Sequence, residues 1–404
     1  MRRILTTAFV FLSALAVMAE GYQVNLQSIK QTGMGHTGAG QQLGATSIHF
    51  NPGALAFMTG KFDFSLGTSG VISTHNFKGL GGSSETDNPM GTPLFFYGAM
   101  RVSDKLAAGI GINTPFGNSL KWGDTWQGRY LIQDIALQAI FVTPTLSYKL
   151  SDKLSVGAGF VMTFGSVDMN QAFNLQTINP AFPNADGQIN LKGSTTSYGF
   201  TTGLFYEISE KVSAGVSYRS KVLLKMEGGD VTYTVPSAVE AYFPTNNKFS
   251  SELPLPSNLT FGIGWQANEK WFLAFDLQSV GWSVHESLDF DFELTEDKGL
   301  PKNYDNTMIY RVGASYAASS SVMLRGGIYY DQTPIKDQYM TPETPGTNKV
   351  GVSLGLSWLL NDKLSLDASL LYIKGEERPS TFPLLPGTYN TSAWLPGIGI
   401  SYAF

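Results

Sequence analysis

The stretch SDKLSVGAGF, Ser151 to Phe160, returns in outline five more times along the chain. SDKLAAGIGI begins at Ser103, SEKVSAGVSY at Ser209, NEKWFLAFDL at Asn268 and NDKLSLDASL at Asn361, with a fainter ASSSVMLRGG from Ala318. Each is a short polar turn followed by alternation. After Lys153, the residues Leu154, Val156, Ala158, Phe160, Met162 and Phe164 fall on one face. Ser155, Gly157, Gly159, Val161, Thr163 and Gly165 fall on the other. A period of two marks a strand with one apolar face. The pattern recurs in Val350, Val352, Leu354, Leu356 and Trp358, set against Gly351, Ser353, Gly355 and Ser357.

The face opposite the apolar one carries Gly, Ser and Thr rather than long charged side chains. The composition agrees: 44 Gly, 13% aromatic and only 15% charged residues in 404, where about 25% charged is usual for a soluble domain. Apolar-out with small-and-polar-in suits a barrel whose outer surface touches lipid. Closure also satisfies every backbone N–H and C=O without water. Strands are expected near 61–74, 92–103, 105–117, 133–150, 153–173, 193–208, 211–227, 254–267, 270–285, 304–318, 321–335, 347–361, 363–375 and 391–404. That is an all-β, fourteen-stranded antiparallel transmembrane barrel, its six polar turns at the inner rim alternating with seven longer external connections.

Other classes are excluded on the same page. No Cys means no disulfide, thiolate metal site or Cys nucleophile. A net charge of −5 without a basic run gives no hold on nucleic acid. Around His36, His49, His75 and His285 there is no Ser-His-acid set, HExxH motif or metal-ligand spacing, so neither an enzyme nor a cofactor or metal is expected. Arg2 and Arg3, the apolar run Ile4 to Leu15 and the small residues up to Ala19 read as an export signal. The expected divisions are a signal at 1–19, a hatch at 20–60 and the barrel at 61–404. A lumen this wide needs a channel or a plug, and the Gly-rich stretch Gly21 to Met58 can supply the plug.

The chain also resembles the FadL/TodX family of outer-membrane transporters for long-chain fatty acids and other hydrophobic compounds. The resemblance is carried by Gly21 to Asn25, Gly33 to Gly40, Asn51-Pro52-Gly53-Ala54, TPFG at 114–117, GRY at 128–130, TPTLSYKLSDKLSVGAG at 143–159, YRSKV at 218–222, LPLPSNLTFGIGW at 253–265 and LRGGIYYDQTP at 324–334. Gly53 stands where the family usually has Ala, and Leu26 where it often has Glu. The resemblance implies a fourteen-stranded barrel with an N-terminal hatch in the bacterial outer membrane, and lateral diffusion of ligand through the wall.

The residues then suggest a route. External loops would capture a hydrophobic molecule with Phe182, Val235, Val239, Tyr242 and Phe243. Inward apolar residues Leu137, Phe141, Val161, Phe205 and Leu223 would bind it, at about 0.8 kcal/mol per buried CH₂. Among inward cations Arg101, Arg219, Lys221, Arg311, Arg325 and Lys349, and Arg129 in a loop, the choice for a carboxylate head falls on Arg129, Arg219 and Lys221. Asn51, Pro52 and Gly53 belong to the hatch. Pro115 and Pro144, which cannot donate to a ladder, mark a lateral gate between the third and fourth strands. The expected surroundings are the lipid bilayer and lipopolysaccharide, and a barrel closed within one chain is expected to be a monomer. Aromatic hydrocarbon uptake, a general porin and a surface antigen are the alternatives.

Overall fold

A computed structural model describes residues 22–182 and 185–404; the expected export signal lies outside the described residues. The repeated turn has one geometry. Its leading Ser or Asn accepts from backbone N–H groups two or three residues on: Ser151 Oγ from Lys153 and Leu154, Ser209 Oγ from Lys211 and Val212, Asn361 Oδ1 from Lys363 and Leu364. Ser103 and Asn268 do the same. A short polar side chain that bonds its own backbone stabilises a tight reversal, which explains the repeat.

Between these turns and the longer connections run fourteen barrel strands. They are β1 (Phe62–Ser69, resuming as Ile72–Gly79), β2 (Leu94–Arg101), β3 (Leu106–Lys121), β4 (Asp134–Lys149), β5 (Leu154–Asn174), β6 (Asp186–Ser209) and β7 (Val212–Arg219, resuming as Val222–Thr234). There follow β8 (Lys248–Leu255, resuming as Asn258–Gln266), β9 (Trp271–Val280, with Ser287–Phe292 beyond), β10 (Thr307–Ala317), β11 (Val322–Asp331), β12 (Lys349–Leu359), β13 (Leu364–Gly375) and β14 (Gly387–Ala403). Neighbours pair antiparallel, and β1 pairs with both β2 and β14, from Asp63↔Ala403 to Ser69↔Gly397, so the sheet closes. The barrel is turned inside out relative to a soluble protein. On β12, Val352, Leu354 and Trp358 are 51%, 66% and 53% exposed, while Ser353 and Ser357 are 2% and 1% exposed.

Two seams open partway along and pair again further out, β6–β7 from Lys192↔Asp230 and β8–β9 at Phe249↔Phe292. β7 breaks at Ser220–Lys221, β8 at Pro256–Ser257 and β9 after Val280, side by side, because Asn258 pairs with both Arg219 and Val280. Beyond the break no ladder pair joins Gly193–Gly199 of β6 to Lys221–Gly229 of β7. Between β8 and β9, Phe249 and Ser250 pair with Phe292 and Asp291, and below them the Ser251 hydroxyl donates to Asp289 O at 2.7 Å. The break also shifts parity. Below it Gly215, Ser217 and Arg219 point inward; above it Val222, Leu224 and Met226 are the buried residues.

Most of residues 22–58 lie buried in the lumen as two short helices, α1 (Ile29–Thr32) and α2 (Ser47–Phe50), with 3-10 turns and extended segments. The wall holds this hatch by its backbone. Asp276 Oδ2 accepts from Gly38 N and Ala39 N at 2.7 and 3.0 Å, and Ser147 and Ser155 hydroxyls donate to Gly53 O at 2.9 and 2.7 Å. Asn51 Nδ2 donates to Ala39 O and Leu204 O at 2.8 and 3.0 Å, while its Oδ1 accepts from Gly53 N. Contact is backbone to backbone: a Cβ on Gly215 would sit 1.9 Å from Ala39 O.

Candidate functional site

The N-terminal segment ahead of α1 seats on a bulge in β3. The β3–β4 ladder skips Thr114 and Pro115, between Asn113↔Phe141 and Phe116↔Ala139. Into that irregularity Val24 N donates to Pro115 O at 2.7 Å, and Gly117 N donates to Tyr22 O at 2.8 Å. Gln27 Nε2 reaches Thr114 O at 3.0 Å. On β4, Pro144 leaves a matching two-residue interruption against β5, between Val142↔Met162 and Thr145↔Gly159. The two prolines, expected to share one gate between the third and fourth strands, interrupt different seams. Pro115 lies in the β3–β4 seam, with residues 22–27 bonded to its β3 side. Pro144 pairs with Ile110 on β3 and interrupts the β4–β5 seam, because a proline lacks the N–H for only one of its two neighbours.

Tyr22 separates two cavities of opposite character. Toward the external loops lies an apolar cavity of about 60 Å³, walled by Tyr22, Leu137, Met169, Met226, Phe249 and Phe290. Its polar boundary is Asn118, Ser251, His285, Lys302, Glu343 and Thr344. Lys302 is 1% exposed; its ammonium pairs with Glu343 and donates to the Thr341 hydroxyl at 2.6 Å. Thr341 in turn donates to Glu343 Oε1 at 2.6 Å. Burial works against the Glu343 carboxylate, but Lys302 and these hydrogen bonds outweigh it and hold its pKa below the usual value. Burial, with the Lys302 charge beside it, pushes His285 down to about 3, so its imidazole is neutral.

Beneath Tyr22, toward the hatch, is a polar cavity of about 40 Å³, bordered by His36, His49, Arg219, Asp276, Gln278 and Arg311. Arg219 Nη2 donates to His49 O at 2.9 Å, and Arg311 Nη2 to Gln278 Oε1 at 2.5 Å. Outside the wall, residues of the upper halves of β7 and β8 and of the segment after β9 line a cleft of about 900 Å³. Met226 and Ser251 face both this cleft and the apolar cavity.

Of the residues expected to bind ligand, Leu137 lines the apolar cavity. Phe141 is buried beside it against Phe116, ring centres 5.8 Å apart, and Val161 is buried in the same apolar cluster. Phe205 packs on the hatch, 5.3 Å from Phe57. Leu223 and Lys221, expected inward, face the external cleft instead. The break at Ser220–Lys221 shifts the alternation by one residue, and Leu224 takes the inner place. Arg129 is tied in the loops to Asp186 at 2.6 Å and to Tyr130 at 2.8 Å. Arg219 holds the hatch, and Arg101 lies exposed at the rim. Among the loop residues Val239 is buried, Phe243 rests on Phe173 and Tyr233, and Tyr242 is 67% exposed. Phe182 and Val235 are half-buried. Tyr22, Met169, Met226, Phe249, Phe290, Lys302 and Glu343 escaped the sequence reading.

A closed barrel with outward-facing apolar side chains, a bonded plug and a greasy cavity under the loops is the architecture of an outer-membrane transporter of hydrophobic compounds. Residues 10–404 match the family model described as outer membrane protein transport protein (OMPP1/FadL/TodX), and the chain belongs to that family. A long-chain fatty acid transport protein of Salmonella typhi is 24% identical, covering 95% of this chain and 94% of that one. The structure is similar to that of a Pseudomonas aeruginosa FadL homologue, with a TM-score of 0.84 and 21% identity over 96% of this chain and all of the other. It is also similar to the Pseudomonas putida toluene transporter TodX, with a TM-score of 0.77 and 17% identity over 93% and 98% of the two chains. Members of the family are transporters or channels of hydrophobic compounds, not enzymes, and lie in the outer membrane.

Proposed function

We propose that the protein takes up hydrophobic molecules through the outer membrane in three stages: capture among the external loops, residence in the apolar cavity, and sideways release through the wall. The observation that carries this reading is the cavity itself, closed off from the periplasm by Tyr22 and the hatch. A general pore would leave a wide water path; here residues 22–58 occupy the lumen and are bonded to the wall. Relatives named for fatty acid and for toluene transport support the same reading. In its resting volume of about 60 Å³ the cavity is under half of the roughly 150 Å³ that holds a benzene. Flexible Met169 and Met226 must therefore move when a ligand enters.

For the sideways step, the β3–β4 bulge at Pro115 is one place, which Tyr22–Val24 must vacate, and the β4–β5 interruption at Pro144 lies beside it. The unpaired β6–β7 seam is a second, with Met226 directly behind it. Filling the cavity tests the reading: Leu137→Trp should cut binding of an apolar fluorescent probe at least tenfold without changing the heat-modifiable migration of the folded barrel. Unchanged probe binding would place the ligand elsewhere.

A further inference from the structure

We infer that the ligand carried in the apolar cavity is uncharged, and that Glu343 is the residue that excludes carboxylates. The inference rests on the uptake reading above and narrows its substrate class.

The charged groups that wall the cavity are Lys302 and Glu343, and they already satisfy one another. Lys302 directs two of its three donors to Glu343 and Thr341, so an incoming carboxylate finds its only nearby cation occupied. It would also lie beside the Glu343 carboxylate in a water-poor site, where like charges repel strongly and an unpaired anion is costly to bury. The remaining polar groups, Asn118, Ser251, His285 and Thr344, bring no compensating charge, His285 being neutral at physiological pH.

The approach has the same bias. The external cleft that shares Met226 and Ser251 with the cavity presents Lys221 and Lys225 against six carboxylates, among them Glu252, Asp289 and Asp291. Lys225 is itself paired with Glu252 at 2.6 Å. Of the other cations expected to meet a carboxylate, Arg129 is paired with Asp186 in the loops, and Arg219 lies on the separate polar cavity, where it bonds His49 O of the hatch. A neutral molecule meets none of these obstacles, because the apolar wall asks only for surface burial.

The test is a matched pair of ligands, 1-decanol and decanoate, competing at pH 8 against an apolar fluorescent probe on the full protein in lipid nanodiscs. Decanol is expected to displace the probe, and decanoate to require at least a hundredfold more. Glu343→Gln removes the resident anion and leaves Lys302 to receive one, so the ratio should move at least tenfold toward decanoate. A paired replacement, Lys302→Met with Glu343→Leu, keeps the wall neutral and should restore the preference for decanol. This variant also shows whether the first result came from misfolding. Comparable displacement by both ligands in the wild type, or decanoate binding that disappears in Lys302→Met, would overturn the inference while leaving the uptake reading standing. Displacement by neither ligand would overturn both.

Discussion

Asn51 shows how much a single side chain can hold. Its amide donates to the hatch at Ala39 O and to the wall at Leu204 O, and its carbonyl caps Gly53 N, all without solvent. Each buried group left unpaired costs about 1–3 kcal/mol. Asn51→Ala should therefore lower the thermal midpoint and give the barrel conductance steps in planar bilayers that the wild type lacks; a silent, equally stable variant would contradict this. His285 makes a pH prediction. Its pKa falls from about 6.5 in the unfolded chain to about 3 in the fold. Between those values the unfolded chain takes up a proton and the folded one does not. The residue's contribution to stability is thus full above pH 6.5 and drains away as pH falls toward 3. The stability advantage of wild type over His285→Asn should shrink between pH 7.5 and 4 in paired denaturation curves; a constant difference would mean the imidazole titrates normally in the fold. None of this chemistry was legible at the level of single residues. Lys302 and Glu343 are 41 positions apart in external loops, with no periodicity to bring them together, and Tyr22 looks like any residue of a Gly-rich leader segment.

At the scale of elements the alternation was readable wherever a strand stays regular. The turn at Ser151 announces itself because its hydroxyl must cap the reversal, and strands such as Asp134–Lys149 then lie within a residue of where the pattern puts them. β7 fails the same reading. Alternation across Ser220 looks continuous in the sequence, yet the backbone breaks there and the inner face passes from odd to even residues. The break opens the seam between β6 and β7, and the chain offers a clean way to close it. A Cβ on Gly193 would lie 3.6 Å from Met226 Cβ, within the spacing of a disulfide, and the protein has no other Cys. The double variant Gly193→Cys, Met226→Cys should transport when reduced and lose most of its uptake when oxidised, if ligand passes this seam. Equal uptake in both states would leave the interruptions at Pro115 and Pro144 as the routes, and Pro144→Val, which restores the missing donor to the β4–β5 seam, probes the second of them.

For the whole molecule, the hydrophobic pattern settled the architecture because lipid inverts the rule for burial: Leu354 and Trp358 face out, and Ser353 and Ser357 face in. The same inversion leaves a lumen that small residues cannot fill, and the chain fills it with its own N-terminal segment, bonded through backbone groups that the wall's Ser and Asp side chains reach. Above Tyr22 it leaves an apolar volume whose two charged groups, Lys302 and Glu343, pair with one another. The most direct test is uptake by cells that lack their own transporter of this kind, with and without this protein in the outer membrane. Radiolabelled 1-decanol, toluene and oleate would be supplied in turn. With the protein present, at least one hydrophobic compound should accumulate faster, and the neutral ones should outpace oleate. No acceleration for any of the three, with the protein folded and inserted, would contradict the central claim that this plugged barrel carries hydrophobic molecules.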